Sequence, residues 1–80
     1  MSIPLPKEVV CQRFGVNLRR ERLVAGLSQE ELADLACFDR TYISSAERGK
    51  RNVSLCAIVK LSAALAIPPS ALLADVAEAE

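Results

Sequence analysis

Between Asp39 and Asn52 the chain gathers side chains suited to reading and gripping a hydrogen-bonding, anionic surface: Arg40, Thr41, Tyr42, Ser44, Ser45, Arg48, Lys50, Arg51 and Asn52. An arginine can chelate the O6 and N7 edge of guanine, and a threonine offers a methyl group to thymine beside a hydroxyl. Lysines and arginines nearby would neutralise phosphates. Other chemistry is poorly supplied. The sequence has no histidine, and its three cysteines, Cys11, Cys37 and Cys56, form no C-x-x-C pair. A structural zinc site needs closely spaced thiolate or imidazole ligands, so no metal is expected. A nucleophilic cysteine would need a base. The aromatics are only Phe14, Phe38 and Tyr42, few for an enclosed substrate pocket. No phosphate-binding glycine loop is present, and no cofactor or enzymatic activity is expected.

The elements that would position these residues are helices. Residues 1–6 read as an arm with Pro4 and Pro6, the latter suited to a first helical turn. A first helix is expected from Lys7 to Ala25, with Val10, Phe14 and Leu18 at four-residue spacing. Gly15 interrupts it, which points to close packing there, and Gly26 stops it. Ser28 and Glu31 spell a capping box for a second helix ending near Ala36 or Cys37, with Leu27 and Leu32 as its hydrophobic staple. Asp39 is the expected N-cap of a third helix ending at Gly49, with Phe38 and Ile43 as staple. A basic loop follows from Lys50 to Val53. A fourth helix from Ser54, stapled by Val53 and Ile58, carries Leu55, Ile58, Val59, Ser62 and Leu65 as its apolar stripe. After Pro68, a fifth helix is expected from Pro69 to Ala79, bearing Leu72, Leu73 and Val76. No stretch alternates apolar and polar residues as a strand would. The expectation is one all-α domain of five helices, with a helix-turn-helix over residues 28–48 and C-terminal helices over residues 54–79.

If Ile43 points inward, steps of 100° place Thr41, Ser45 and Arg48 on the opposite side of helix three, Ser44 on its flank and Arg40 at its exposed first turn. The starts of helices two and four would offer free backbone N–H groups to phosphate. The 80 residues carry ten cations and ten anions, so total charge does not select a partner. The distribution is uneven. Residues 13–22 hold four arginines against one glutamate, and residues 40–60 hold five cations against Glu47. Residues 23–39 and 61–80 hold acids and no base. Such blocks can fold into a body with one basic face. No signal peptide is legible and no apolar run nears the roughly 20 residues that span a bilayer. The separated cysteines fit a reducing compartment. A cytoplasmic location follows as an expectation.

The string G-L-S-Q-E-E-L-A (Gly26 to Ala33), followed by D-R-T-Y-I-S-S-A-E-R-G-K-R-N-V-S-L (Asp39 to Leu55), resembles the Xre or phage lambda repressor-like family. Within it, R-T-Y-I-S and E-R-G-K-R-N are similar to controller proteins of restriction-modification systems. The resemblance implies a five-helix regulator that binds a palindromic operator as a homodimer. Its partners would be double-stranded DNA, a second copy of itself and RNA polymerase. It implies base contacts by Arg40, Thr41, Ser44 and Ser45, and backbone contacts by Gln29, Tyr42, Arg48, Lys50, Arg51 and Asn52. It further implies an Arg22–Glu47 ion pair tying helix one to helix three. The dimer would form through the last two helices, with Leu72, Leu73 and Val76 shared between the monomer core and the interface. A phage-type repressor, an antitoxin-like autoregulator, and a helical interaction module without DNA binding are the alternatives. Three positions depart from the family. Cys37 stands where glycine is common, Ala46 where a larger aliphatic is usual, and Ser45 where controllers often have glycine. A left-handed backbone at Cys37 would cost roughly 1 kcal/mol. The space at Ala46 would need filling, by Phe14 or Phe38.

Overall fold

The computed structural model describes residues 4–77. The expected arm lies partly outside the described residues. Five helices follow in order: α1 (Lys7–Val24), α2 (Gln29–Ala36), α3 (Arg40–Glu47), α4 (Leu55–Leu65) and α5 (Pro69–Leu72). Among the described residues there is no strand. Pro6 stands just outside α1, at its N-cap.

One apolar core joins all five elements. Leu18, Leu32, Ile43, Leu61 and Leu72 have no exposed surface, and Phe14, Ala33, Ala36, Ala46 and Leu65 complete the cluster. Fully burying an aliphatic side chain of this size contributes about 1.5–3 kcal/mol, so these five positions anchor the arrangement. Leu27, Phe38 and Val53, each one residue before a helix N-cap, pack against the core from its edge. On α1, Phe14 and Leu18 point inward as expected, but Cys11 is buried in place of Val10, which is only partly covered.

The turns follow their sequence signals closely. Ser28 accepts from the Glu31 amide while the Glu31 carboxylate accepts from the Ser28 amide, closing the capping box. Ser54 accepts from the Ala57 amide. Asp39 takes the extended N-cap conformation, yet its side chain makes no capping bond. The turn between α2 and α3 bends at Cys37, with φ 60° and ψ 45°. The Phe38 amide reaches back five residues to the Ala33 carbonyl at 2.8 Å, as in a Schellman turn. The strained left-handed conformation thus does fall on a cysteine.

The stripe expected on α4 is rotated. Ala57, Leu61, Ser62 and Leu65 are buried, whereas Leu55 is 75% and Val59 48% exposed. The fifth helix is corrected more sharply. It is one turn long, and the chain then leaves helical geometry, with Asp75 at φ 60°. The Asn17 amide group on α1 reaches the carbonyls of Leu72 and Ala74. It takes the acceptors that a continuing helix would have used. The expected residues beyond Ala77 lie outside the described ones.

Candidate nucleic-acid interface

α3 is held from behind by an unusually close approach of α1. A Cβ on Gly15 would stand 2.5 Å from the Glu47 carbonyl oxygen and 2.6 Å from that of Ala46. The backbone of α1 thus lies directly against the end of α3, where Ala46 is fully buried in the same core as Phe14. Ile43 and Ala46 have no exposed surface. The opposite side of α3 faces solvent, with Arg40, Thr41 and Arg48 exposed and Ser44 and Ser45 partly so. Eight helical residues extend about 12 Å, a length that a major groove accommodates.

A second clamp lies below α3. Arg22 donates from Nε to Glu47 Oε2 at 2.6 Å and from Nη2 to Oε1 at 3.0 Å, and from Nη1 to the Leu27 carbonyl at 2.8 Å. Both side chains are almost fully buried. The Glu47 hydrogen bond and charge raise the Arg22 pKa above its ordinary value, against a smaller lowering by burial. Gln29 donates to Glu47 Oε1 at 3.1 Å. One amide hydrogen of Gln29, a residue expected to contact phosphate, is thus used inside the fold.

The remaining sequence-expected residues separate into two groups. Arg40, Thr41, Lys50 and Asn52 are exposed, and among the described residues nothing holds their side chains. The others are tied to one another. Arg48 Nη1 donates to Ser44 Oγ, and Arg51 Nε donates to Ser45 Oγ. Ser45 Oγ donates onward to the Tyr42 carbonyl at 2.9 Å. The Arg51 guanidinium also lies 4.6 Å from the Tyr42 ring centroid. Tyr42 stacks on Phe38 at 4.5 Å with the planes 8° apart, and Lys60 Nζ sits 4.5 Å from the Phe38 centroid. Cation, ring, ring and cation therefore form one column from α4, through the turn and α3, to the loop after it. Cation–π contacts contribute about 0.5–1 kcal/mol each when exposed.

The sequence reading missed Phe38 and Lys60 as parts of this column: Phe38 was read only as a staple residue, and Lys60 lies 22 residues from the ring it covers. It also missed Asn17. A poor helix former inside an otherwise strong helix was the available cue.

Exposed cations surround α3: Arg40, Arg48, Lys50 and Arg51. Amides at the starts of α2 and α4 are uncommitted beyond the capping bonds. The α4 start has no acid in its first turn, whereas α2 has Glu30 and Glu31 there. A phosphate is thus better received at α4. At the C-terminal end, Leu72 and Val76 are buried within the chain's own core, and Leu73 remains 45% exposed. Among the described residues no group of histidine, cysteine or acidic side chains is placed to hold a metal, and no helix is long and apolar enough to cross a membrane.

Comparison with known proteins places this arrangement. A family model described as helix-turn-helix (HTH_3) matches residues 18–72. Control protein C.MunI of a Mycoplasma species is 49% identical over 65 residues, covering 80% of this chain and 88% of that protein. The crystal structure of the restriction-modification controller protein C.AhdI from Aeromonas hydrophila is 52% identical with a TM-score of 0.76, covering 78% of this chain and 94% of that one. The tetramer of the controller protein C.Esp1396I, in complex with its natural 35-base-pair operator, is 27% identical with a TM-score of 0.75, covering 84% of this chain and 88% of that one.

Proposed function

The chain belongs to the helix-turn-helix family, and from that membership we propose that it is a cytoplasmic transcriptional regulator controlling a restriction-modification operon. It binds a palindromic DNA operator as a homodimer and catalyses no reaction. The observation that carries this reading is the solvent face of α3. Arg40 and Thr41 stand unengaged at its first turn, over a helix clamped from behind by Gly15 and by the Arg22–Glu47 pair. A rigid helix with free donors at its N-terminal end is what base reading in a major groove requires. Lys50 and Asn52, free at the other end, and the tied Arg48 and Arg51 are suited to phosphate or flanking contacts.

The dimer face is assigned to the exposed apolar residues of the C-terminal half: Leu73, with Leu55 and Val59 one turn apart on α4. Relatives support both parts, since controllers are among the most similar proteins and one of them was solved as a tetramer on its operator.

The test compares Arg40→Ala and Lys50→Ala with the parent, on a duplex selected from a random pool and on its scrambled version, at two salt concentrations. Arg40→Ala should lose about 1–3 kcal/mol on the selected duplex and little on the scrambled one. Lys50→Ala should weaken both and reduce the salt slope by about one phosphate per site. Equal losses on both duplexes for Arg40→Ala would make Arg40 a phosphate contact. Failure of the parent to select any duplex would leave a helical interaction module.

A further inference from the structure

We infer that Asn17 positions the dimer face, by holding the C-terminal segment as a turn rather than a helix; this rests on the dimer reading above. Asn17 is 5% exposed in the middle of α1. Its amide nitrogen has two hydrogens, and both are used, on the Leu72 carbonyl at 3.0 Å and the Ala74 carbonyl at 2.8 Å. Its oxygen accepts from Arg20 Nη1 at 3.0 Å, so the side chain is satisfied on every side. One turn earlier on the same helix, Arg13 Nη1 donates to the Asp75 carbonyl at 3.2 Å. Three carbonyls of one short segment are therefore gripped from α1.

The grip fixes where the segment that carries Leu73 is held against α1. The stretch from Ala71 to Ala77, A-L-L-A-D-V-A, holds three alanines and two leucines, and these good helix formers favour continuing the helix that begins at Pro69. With the carbonyls of Leu72 and Ala74 committed to Asn17, the chain instead turns, and Asp75 takes a left-handed conformation. In that turn Leu72 and Val76 face the core while Leu73 stays 45% exposed. Leu73 lines a small apolar cleft together with Val53, Ile58 and Val76. Leu55 and Val59 lie 60° and 100° around α4 from Ile58 by helical geometry, both to the same side. Leu73 thereby shares a cleft with Ile58, the α4 residue from which Leu55 and Val59 follow around the helix. A continued helix would take the Leu72 and Ala74 carbonyls away from Asn17 and redirect the chain after Leu73. Burial of Leu72 alone does not specify this, since a helix would also bury Leu72.

The effect on assembly is amplified because both copies must hold the turn. If release of the two amide bonds lowers the turn's population to roughly one third in each chain, the dimer dissociation constant rises about tenfold. The experiment is sedimentation equilibrium of the full chain for the parent, Asn17→Ala, Leu73→Ser and the double variant. Melting well below the dimer dissociation constant would report the monomer fold separately. We expect a dimeric parent, at least a tenfold weaker dimer for Asn17→Ala, and a double variant scarcely weaker than Leu73→Ser, because the two residues act on one contact. Should Asn17→Ala not fold, Asn17→Ser, which keeps one donor, provides the same measurement with a smaller rise. A dimeric parent with an Asn17 variant within threefold of it overturns the inference and leaves the dimer reading intact. So does strict additivity with Leu73→Ser, which would mean Asn17 acts elsewhere. A parent that is monomeric throughout the accessible range refutes the dimer reading itself, and this inference with it.

Discussion

Replacing Gly15 with alanine sets two effects of opposite sign against each other. In an ordinary helix interior, glycine to alanine stabilises by about 1 kcal/mol through helix propensity. Gly15 lies in the middle of α1, so sequence reasoning alone predicts a gain. The structure predicts a loss. The new methyl group would meet the Glu47 and Ala46 carbonyl oxygens at 2.5 and 2.6 Å, and the Glu47 carbonyl carbon at 2.9 Å. All three atoms are backbone, so no side chain can rotate away. α1 and the end of α3 would have to separate by roughly half an ångström. Overpacking a core costs typically about 1–3 kcal/mol even where side chains give way, and here the upper end applies. The net loss is about 2 kcal/mol, which for a chain of this size lowers Tm by roughly 10 °C. Gly26→Ala is the control: a Cβ there meets nothing within 4 Å, and only its φ of +74° is unfavourable, so it should lose about 1 kcal/mol. Thermal unfolding followed by circular dichroism at fixed concentration measures both. At a temperature where it remains folded, Gly15→Ala should also bind its selected duplex more weakly, because α3 is displaced. A Gly15→Ala protein melting at or above the parent would refute the claim that this approach positions α3.

Glu47→Ala removes one partner of a nearly dry pair and leaves Arg22 with only the Leu27 carbonyl. The expected loss is about 3–5 kcal/mol, a large part of what 80 residues hold at roughly 0.05–0.15 kcal/mol each; denaturant melts should show stability falling before DNA affinity does. Cys37→Gly relieves the left-handed strain at φ 60° and should raise stability by about 1 kcal/mol, visible as a higher Tm with unchanged operator affinity. Hydrogen bonds from Ser28, first through its backbone amide, hold the Glu31 carboxyl below its usual pKa. A lowered folded pKa stabilises above the unfolded value, and the stabilisation is lost as pH falls through the folded one. Glu31→Gln keeps a capping side chain but should flatten the stability–pH curve across that acidic range, and an unchanged curve would remove Glu31 from the account.

The helix-turn-helix was legible because its signals are local. Ser28 with Glu31, Phe38 with Ile43 and Ser54 after Val53 each sit within five residues of their partner, and each marks a helix start in the structure. Gly15 was legible as a close approach, though not what it approaches. The end of the chain was misread because its determinant is remote. Asn17 stops α5 from 55 residues away, and nothing near Leu72 announces it. The stripe on α4 was misplaced for a related reason. Nearly every residue of that helix is apolar, so periodicity could not choose between Leu61 inside and Val59 outside. The bond that positions Gln29 was not legible either, because the Glu47 oxygen that accepts it comes from another helix.

Charge illustrates how tertiary contacts sort what the sequence lists as equivalent. Two blocks of cations were visible, in residues 13–22 and 40–60. In the first, Arg22 is paired with the Glu47 carboxylate, Arg20 lies against Glu21 and Asn17, and Arg13 grips the Asp75 carbonyl. Much of that block's donor capacity is used within the fold. In the second, Arg48 is held by the Ser44 hydroxyl, and Arg51 by the Ser45 hydroxyl and the Tyr42 ring. None of these partners carries a negative charge. A serine or an aromatic face fixes a guanidinium in place while leaving its charge available to a phosphate, which a carboxylate would cancel. The block after α2 therefore presents positioned, uncancelled charge around a helix whose first turn is free. On the proposed reading, that combination would let a chain of zero net charge bind an anionic duplex through the α3 face.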